Sequence, residues 1–122
     1  MKAIIFDFDG VILNSVNVKT EAFKELYKQY GLDVVKKVEK YHLENGGISR
    51  FKKFKYFHKN FLNIDLNNVE INQMANDFSN LVFEKVCNSN FISGAKEFLE
   101  YSKNKYLNFI CTGTPEYEIK KI

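Results

Sequence analysis

A chain of 122 residues, 45% hydrophobic and 16% aromatic, is long enough for one packed domain and too apolar to stay disordered. A net charge of +3 suits an anionic ligand without requiring one. No apolar run approaches the roughly 18 residues of a membrane span, and the N-terminus lacks a signal-peptide pattern, so a soluble cytoplasmic protein with no membrane partner is expected.

In chain order, residues 2–7 read as a short buried strand, an apolar run ending in polar residues. Residues 10–17 form a Gly-led link. A helix follows over 18–30, with Val18, Ala22 and Leu26 on one stripe and Gly31 as its stop. Asp33 is placed to cap a second helix to about residue 42, which the glycines of "ENGG" break. A third helix starts after Ser49 and lines up Phe51, Phe54, Phe57 and Phe61. A fourth spans about 68–87 with Ile71, Met74, Phe78, Leu81 and Val82 on its stripe, and a fifth spans 94–103. Residues 106–111 read as a second buried strand. Thr114 before Pro115 has the pattern of a cap followed by a first helical position.

Strand, helices, strand, helix implies two parallel strands joined by a right-handed crossover. That crossover is about a hundred residues, far above the usual length, so most of it must be a helical insertion. The fold class expected is α/β: a Rossmann-like core with parallel strands and an inserted α-helical cap. The expected division is core over 1–15, cap over 16–88 and core again over 89–122. Cys87 and Cys111 have neither CxxC spacing nor a nearby His, and are expected to be free, buried thiols. The basic run "RFKKFK" (50–55) is expected to be the solvated face of an amphipathic helix, not a nucleic-acid surface.

The stretch "IIFDFDGVILNS" (4–15) carries the first chemical signal. Asp7 and Asp9, two apart at the end of a strand, project to the same side and repel. Close carboxylates are relieved by a cation, and Mg²⁺ takes oxygen ligands from one or two carboxylates together with a phosphate. The plainer reading is a turn or capping pair after a strand. Gly10 allows a sharp turn and close approach to a ligand. In open parallel sheets ligands bind at the carboxyl ends of the strands, where Thr112 and Gly113 also fall. A hydroxyl and main-chain N–H groups at a helix start suit a phosphate oxygen, although "TGTP" alone is an ordinary helix start.

Together "IIFDFDGVILNS" and "LNFICTGTP" resemble the first and second motifs of the haloacid dehalogenase superfamily of phosphohydrolases. "FISGAKEFLEYSKNK" resembles the helix before the second motif in members with a helical cap, and the whole chain is similar to the phosphoglycolate phosphatase and β-phosphoglucomutase branch. The resemblance implies Asp7 as nucleophile, Asp9 as acid and base, and Mg²⁺ on Asp7 and Asp9. It implies phosphate contacts at Thr112, Gly113 and Gly10, and a small phosphorylated metabolite as substrate. The second acid argues against dehalogenation. "NGGISRFKKF" resembles the cap stretch with a Ser-Arg pair, which places Arg50 and Ser49 toward the substrate; the alternative is that Ser49 caps the helix and Arg50 is solvated. The family's later Lys and acidic pair have no counterpart before Ile122, so a truncated chain with weak or no turnover is expected. The alternatives are a phosphomutase, or a non-catalytic remnant or binding module.

Overall fold

The computed structural model describes residues 2–122. Its elements are β1 (Ala3–Phe6), α1 (Val16–Tyr27) with a 3₁₀ turn at Lys28–Tyr30, α2 (Leu32–Glu44), α3 (Arg50–Phe61), α4 (Asn68–Cys87), α5 (Ala95–Ser102), β2 (Leu107–Ile110) and α6 (Glu116–Ile119). β1 and β2 pair in parallel, with Ala3 beside Leu107 and Phe6 beside Ile110. The ladder runs past both ends, from Leu107 N to Lys2 O (3.1 Å) and from Cys111 N to Phe6 O (2.8 Å). The expected α/β architecture with a helical insertion is what the chain forms.

Helices α1 to α4 pack on one another through aromatic rings. Phe23 sits 4.4 Å from Phe78, 5.5 Å from Phe54 and 5.8 Å from Phe57, centroid to centroid. Tyr27, Val38, Phe54 and Phe57 are fully buried around it. The phenol of Tyr27 reaches His58 Nδ1 at 2.7 Å, which satisfies a polar group that burial would otherwise strand. Burial pushes the Tyr27 phenol well above its ordinary value and lowers His58, so both are neutral and share one hydrogen bond.

The chain enters and leaves the helical block side by side. Leu13 bridges Phe91 in antiparallel fashion, Asn14 N donates to Asn90 O (2.8 Å), and Ile92 N donates to Ile12 O (2.9 Å).

Several local expectations are corrected. The strands are not buried: Ile5 is 71% exposed, and Leu107, Phe109 and Ile110 are about half exposed, because a two-stranded sheet leaves its faces uncovered. On α1 the buried set is Lys19, Thr20, Ala22, Phe23 and Tyr27, a stripe rotated from the Val18, Ala22, Leu26 line. Leu81 lies off the buried face of α4, whose packed residues are Ile71, Ala75, Phe78, Val82 and Val86. Asp33 falls in the first turn of α2, and Gly31 takes the cap position. Cys87 and Cys111 are free, as expected, but exposed. Among the described residues no helix is long and apolar enough to cross a membrane.

Replacing Phe54 by Ala should destabilise the chain by about 3–5 kcal/mol, the usual range for deleting a buried ring. Tyr27→Phe should cost about 1–3 kcal/mol by leaving His58 without its partner. Urea titration followed by circular dichroism reads both; a loss under 1 kcal/mol for Phe54→Ala would contradict this account of the core.

Candidate active site

Asp7 is the first residue past β1. Its Oδ1 accepts from Phe8 N at 2.8 Å, and its Oδ2 has no protein hydrogen bond among the described residues. The chain then turns tightly: Phe8 O accepts from Ile12 N (2.9 Å), and Gly10 N donates to Leu13 O (2.8 Å). Gly10 adopts φ +78°, and a Cβ there would sit 2.9 Å from Val16 Cγ2, so the turn needs glycine.

Asp9 is held on both carboxylate oxygens. Ser15 Oγ donates to Oδ1 and Lys19 Nζ to Oδ2, each at 2.5 Å. Ser15 occupies the cap position of α1 but spends its hydroxyl on Asp9 instead of the helix N–H groups. Lys19 also donates to Thr114 Oγ1 at 2.7 Å. Thr114 is therefore not the helix cap its sequence position suggested; its hydroxyl is committed to Lys19, and α6 begins after Pro115. Thr114 N donates to Thr112 Oγ1 (3.2 Å), which fixes the loop after β2.

These loops open on one cavity of about 210 Å³. Asp7, Asp9, Thr112, Gly113 and Arg50 all line it, together with Lys19, His42 and Lys53. Gly10 and Ser49 do not. Gly10 shapes the turn behind Asp9. Ser49 caps α3, its hydroxyl accepting from Lys52 N at 3.3 Å. Gly113 is pressed against the α2–α3 loop: a Cβ would meet Gly47 O at 3.0 Å and Ile48 O at 3.1 Å.

The basic run 50–55 is only half solvated. Lys52 and Lys55 face water, whereas Arg50 is 4% and Lys53 3% exposed. Arg50 is thus not solvated in its first turn. Its guanidinium pairs with Glu118, donates to Ser79 Oγ at 2.8 Å, and lies 4.6 Å from the Phe78 ring centroid. Glu118 Oε1 is buried without a partner. Lys53 Nζ meets His42 Nδ1 at 2.9 Å. Burial, and then the charge of Lys53, pushes His42 down to about 4. Burial, and then Lys19, pushes Lys53 down to about 8.

Sequence reasoning missed Lys19, His42, Lys53 and Glu118. The available signal was a charge in phase with buried aromatics: Lys19 lies one turn before Phe23, and Lys53 one turn before Phe57. Among the described residues no three His, Cys, Asp or Glu side chains gather as a metal cluster. The donors at the sheet end are oxygen, with Asp7 Oδ2 unengaged, and that is the donor type a hard cation such as Mg²⁺ takes.

Residues 4–121 match the family described as haloacid dehalogenase-like hydrolase. No curated protein matches. Among solved structures, the chain is similar to one described as "Putative beta-phosphoglucomutase from Bacteroides vulgatus", at 23% identity and TM-score 0.74, covering 99% of this chain and 49% of that one. It is also similar to a "predicted phosphoglycolate phosphatase" from Haemophilus somnus 129PT, at 20% identity and TM-score 0.62, covering 96% and 53%. The likeness is one of fold, and the chain spans about half the length of these structures.

Arg50→Ala should destabilise the chain by about 3–5 kcal/mol, because it leaves Glu118 buried and unpaired. The double variant Arg50→Met, Glu118→Leu should recover most of that in the same urea titration. For His42, the unfolded chain binds more protons than the folded chain between its ordinary value of 6.5 and about 4. Its contribution to stability is present above 6.5 and is lost as pH falls toward 4. His42→Phe should therefore flatten the stability profile across that window, as thermal melts at stepped pH would show.

Proposed function

The chain belongs to the haloacid dehalogenase-like hydrolases, and from that premise we propose that it carries the nucleophile half of a phosphatase acting on a small phosphorylated metabolite. The observation that carries this reading is the convergence of Asp7, Asp9 and Thr112 on one cavity whose wall also holds Lys19, Arg50 and Lys53. Residues 16–88 act as a helical cap over a core made of 1–15 and 89–122.

In this reading an Asp7 oxygen attacks phosphorus, the bond from phosphorus to the ester oxygen breaks, and Asp9 gives its proton to the departing alkoxide. Asp9 next takes a proton from water, whose oxygen attacks phosphorus as the bond to Asp7 breaks. The products are the alcohol and inorganic phosphate, with Asp7 restored. Ser15 and Lys19 orient Asp9 beside the nucleophile. The hydroxyl of Thr112 and the main chain of Gly113 bind phosphoryl oxygens. Asp7 and the main-chain carbonyl of Asp9 would hold Mg²⁺, which supplies positive charge against the phosphoryl group when bound.

Incubating the chain with acetyl phosphate and Mg²⁺ should add one phosphoryl group, located on Asp7 by mass spectrometry of peptides. Asp7→Asn should abolish the label, and Asp9→Asn should slow its loss to water by about 100-fold or more. Release of inorganic phosphate identifies water as acceptor, in contrast to transfer to a sugar hydroxyl. A label that survives Asp7→Asn would refute the assignment.

A further inference from the structure

Basic charge is unevenly spread along the chain. Residues 32–61, which hold α2 and α3, carry eight of the 18 Lys and Arg but only three of the 15 Asp and Glu, so the positive excess of the whole chain resides there. Arg50 and Lys53 turn inward to the cavity. Helical phase sets exposed Lys37 and Lys40 away from buried Val35, Val38 and His42 on α2, and exposed Lys52 and Lys55 away from buried Phe54, Phe57 and His58 on α3. This outer face is the reverse of the one that lines the cavity. Its seam is aromatic. Tyr41 and Tyr56 stack across the two helices, 4.0 Å between centroids and 21° between planes, and Tyr56 is still 37% exposed. Lys37 Nζ lies 5.9 Å from the centroid of Phe61 on α3, which brings it to the same seam.

The fold supplies little counter-charge to this face. Glu39 is engaged by Lys24 of α1, and Asp65 reaches only Lys59, at 3.1 Å. Among the described residues Lys37, Lys40, Lys52 and Lys55 have no carboxylate within 4.0 Å. Cations gathered without partners repel one another, and a polyanion laid along them relieves that repulsion. We propose that the outer face of α2 and α3 binds a single-stranded nucleic acid, with phosphates along the two rows of lysines and a base on the Tyr41–Tyr56 pair. The inference is independent of the phosphatase reading. A run of basic residues on one helix is an ordinary solvated face; two rows on neighbouring helices with an open tyrosine stack between them add a platform for a base. A duplex keeps its bases stacked on one another and has none to offer the rings. A membrane surface would call for aliphatic side chains standing out among the lysines, but exposed Leu43 turns to the cavity and exposed Leu32 to the groove lined by Lys24 and Lys28.

Fluorescence anisotropy of labelled oligouridylate and oligothymidylate strands of about twelve nucleotides makes the test, with a duplex of the same length, poly-glutamate and phosphatidylserine vesicles as competitors. At least one of the two strands should bind at about 50 mM salt, more tightly than the duplex, and weaken as salt rises. The tighter of the two tells RNA from DNA. Lys52→Gln with Lys55→Gln should weaken binding and reduce the slope of log K against log salt by about 1.4, at about 0.7 for each phosphate contact. Tyr56→Leu should weaken it about fivefold or more, the scale of one base–aromatic stack, with the slope unchanged. Exposed Lys→Gln changes cost little stability, so the test stands even where Tyr56→Leu fails to fold. No binding of either strand, binding that survives the double lysine variant, or a duplex, poly-glutamate or vesicle that competes as well as the strand itself overturns the inference and leaves the phosphatase reading intact.

Discussion

The ammonium of Lys19 is the tie on which the site depends. From one position on α1 it bonds Asp9 in the loop after β1 and Thr114 in the loop after β2. Neither loop has a regular element to define it, and the two meet only because a parallel pair of strands ends beside a helix that carries a cation inward. Burying a lysine is unfavourable unless it is paired and hydrogen-bonded, and here it is both. Asp9 in turn is oriented by Ser15 as well, so the second carboxylate of the pair is set by residues six and ten positions further along the chain.

The second constraint is backbone contact without side chains. Gly113 leaves no room for a Cβ against the carbonyls of Gly47 and Ile48, so the helical block presses directly on the loop that carries Thr112. Arg50 and Glu118 join the same two parts of the chain a little further along, as a buried ion pair braced by Ser79 and Phe78. Such a pair contributes little net stability, yet either partner alone is costly, which makes the relative placement of helices and loops difficult to alter by halves.

How much of this was legible follows from the range of each interaction. The places of Asp7 and Thr112 on the cavity, and of Gly10 in the turn, were readable because their signal is local: an apolar strand, then a fixed spacing; the expected phosphate contact at Gly10 was not met, since it lies off the cavity wall. The stripe of α3 was readable because Phe54, Phe57 and Phe61 repeat at helical intervals, and most of that of α4 because Ile71, Phe78 and Val82 do; only Leu81 fell off the face. Lys19, His42 and Lys53 were not, since a basic residue declares itself buried only once the phase of its helix is known. On α1, apolar residues lie on more than one side, and the true stripe is marked by Phe23 and Tyr27. The Arg50–Glu118 pair joins residues 68 apart and has no sequence pattern at all. The apolar strands misled in the opposite direction, because burial of Leu107 and Phe109 depends on what packs over the sheet and not on their hydropathy.

The antiparallel contact between residues 12–14 and 90–92 has an architectural consequence. Entry and exit of the helical block lie a single hydrogen bond apart, Asn14 to Asn90. To the sheet, everything between those residues is one closed loop with touching ends. Its length and content can change without altering the register of β1 on β2, because loop closure depends only weakly on loop length once the ends are pinned. The paired segments also form a two-stranded strap. About such a strap a lobe can tilt, but it cannot translate away without breaking the hydrogen bonds. The joint therefore separates two kinds of evolutionary change: the helices can be exchanged, while Asp7 and its strand stay where they are.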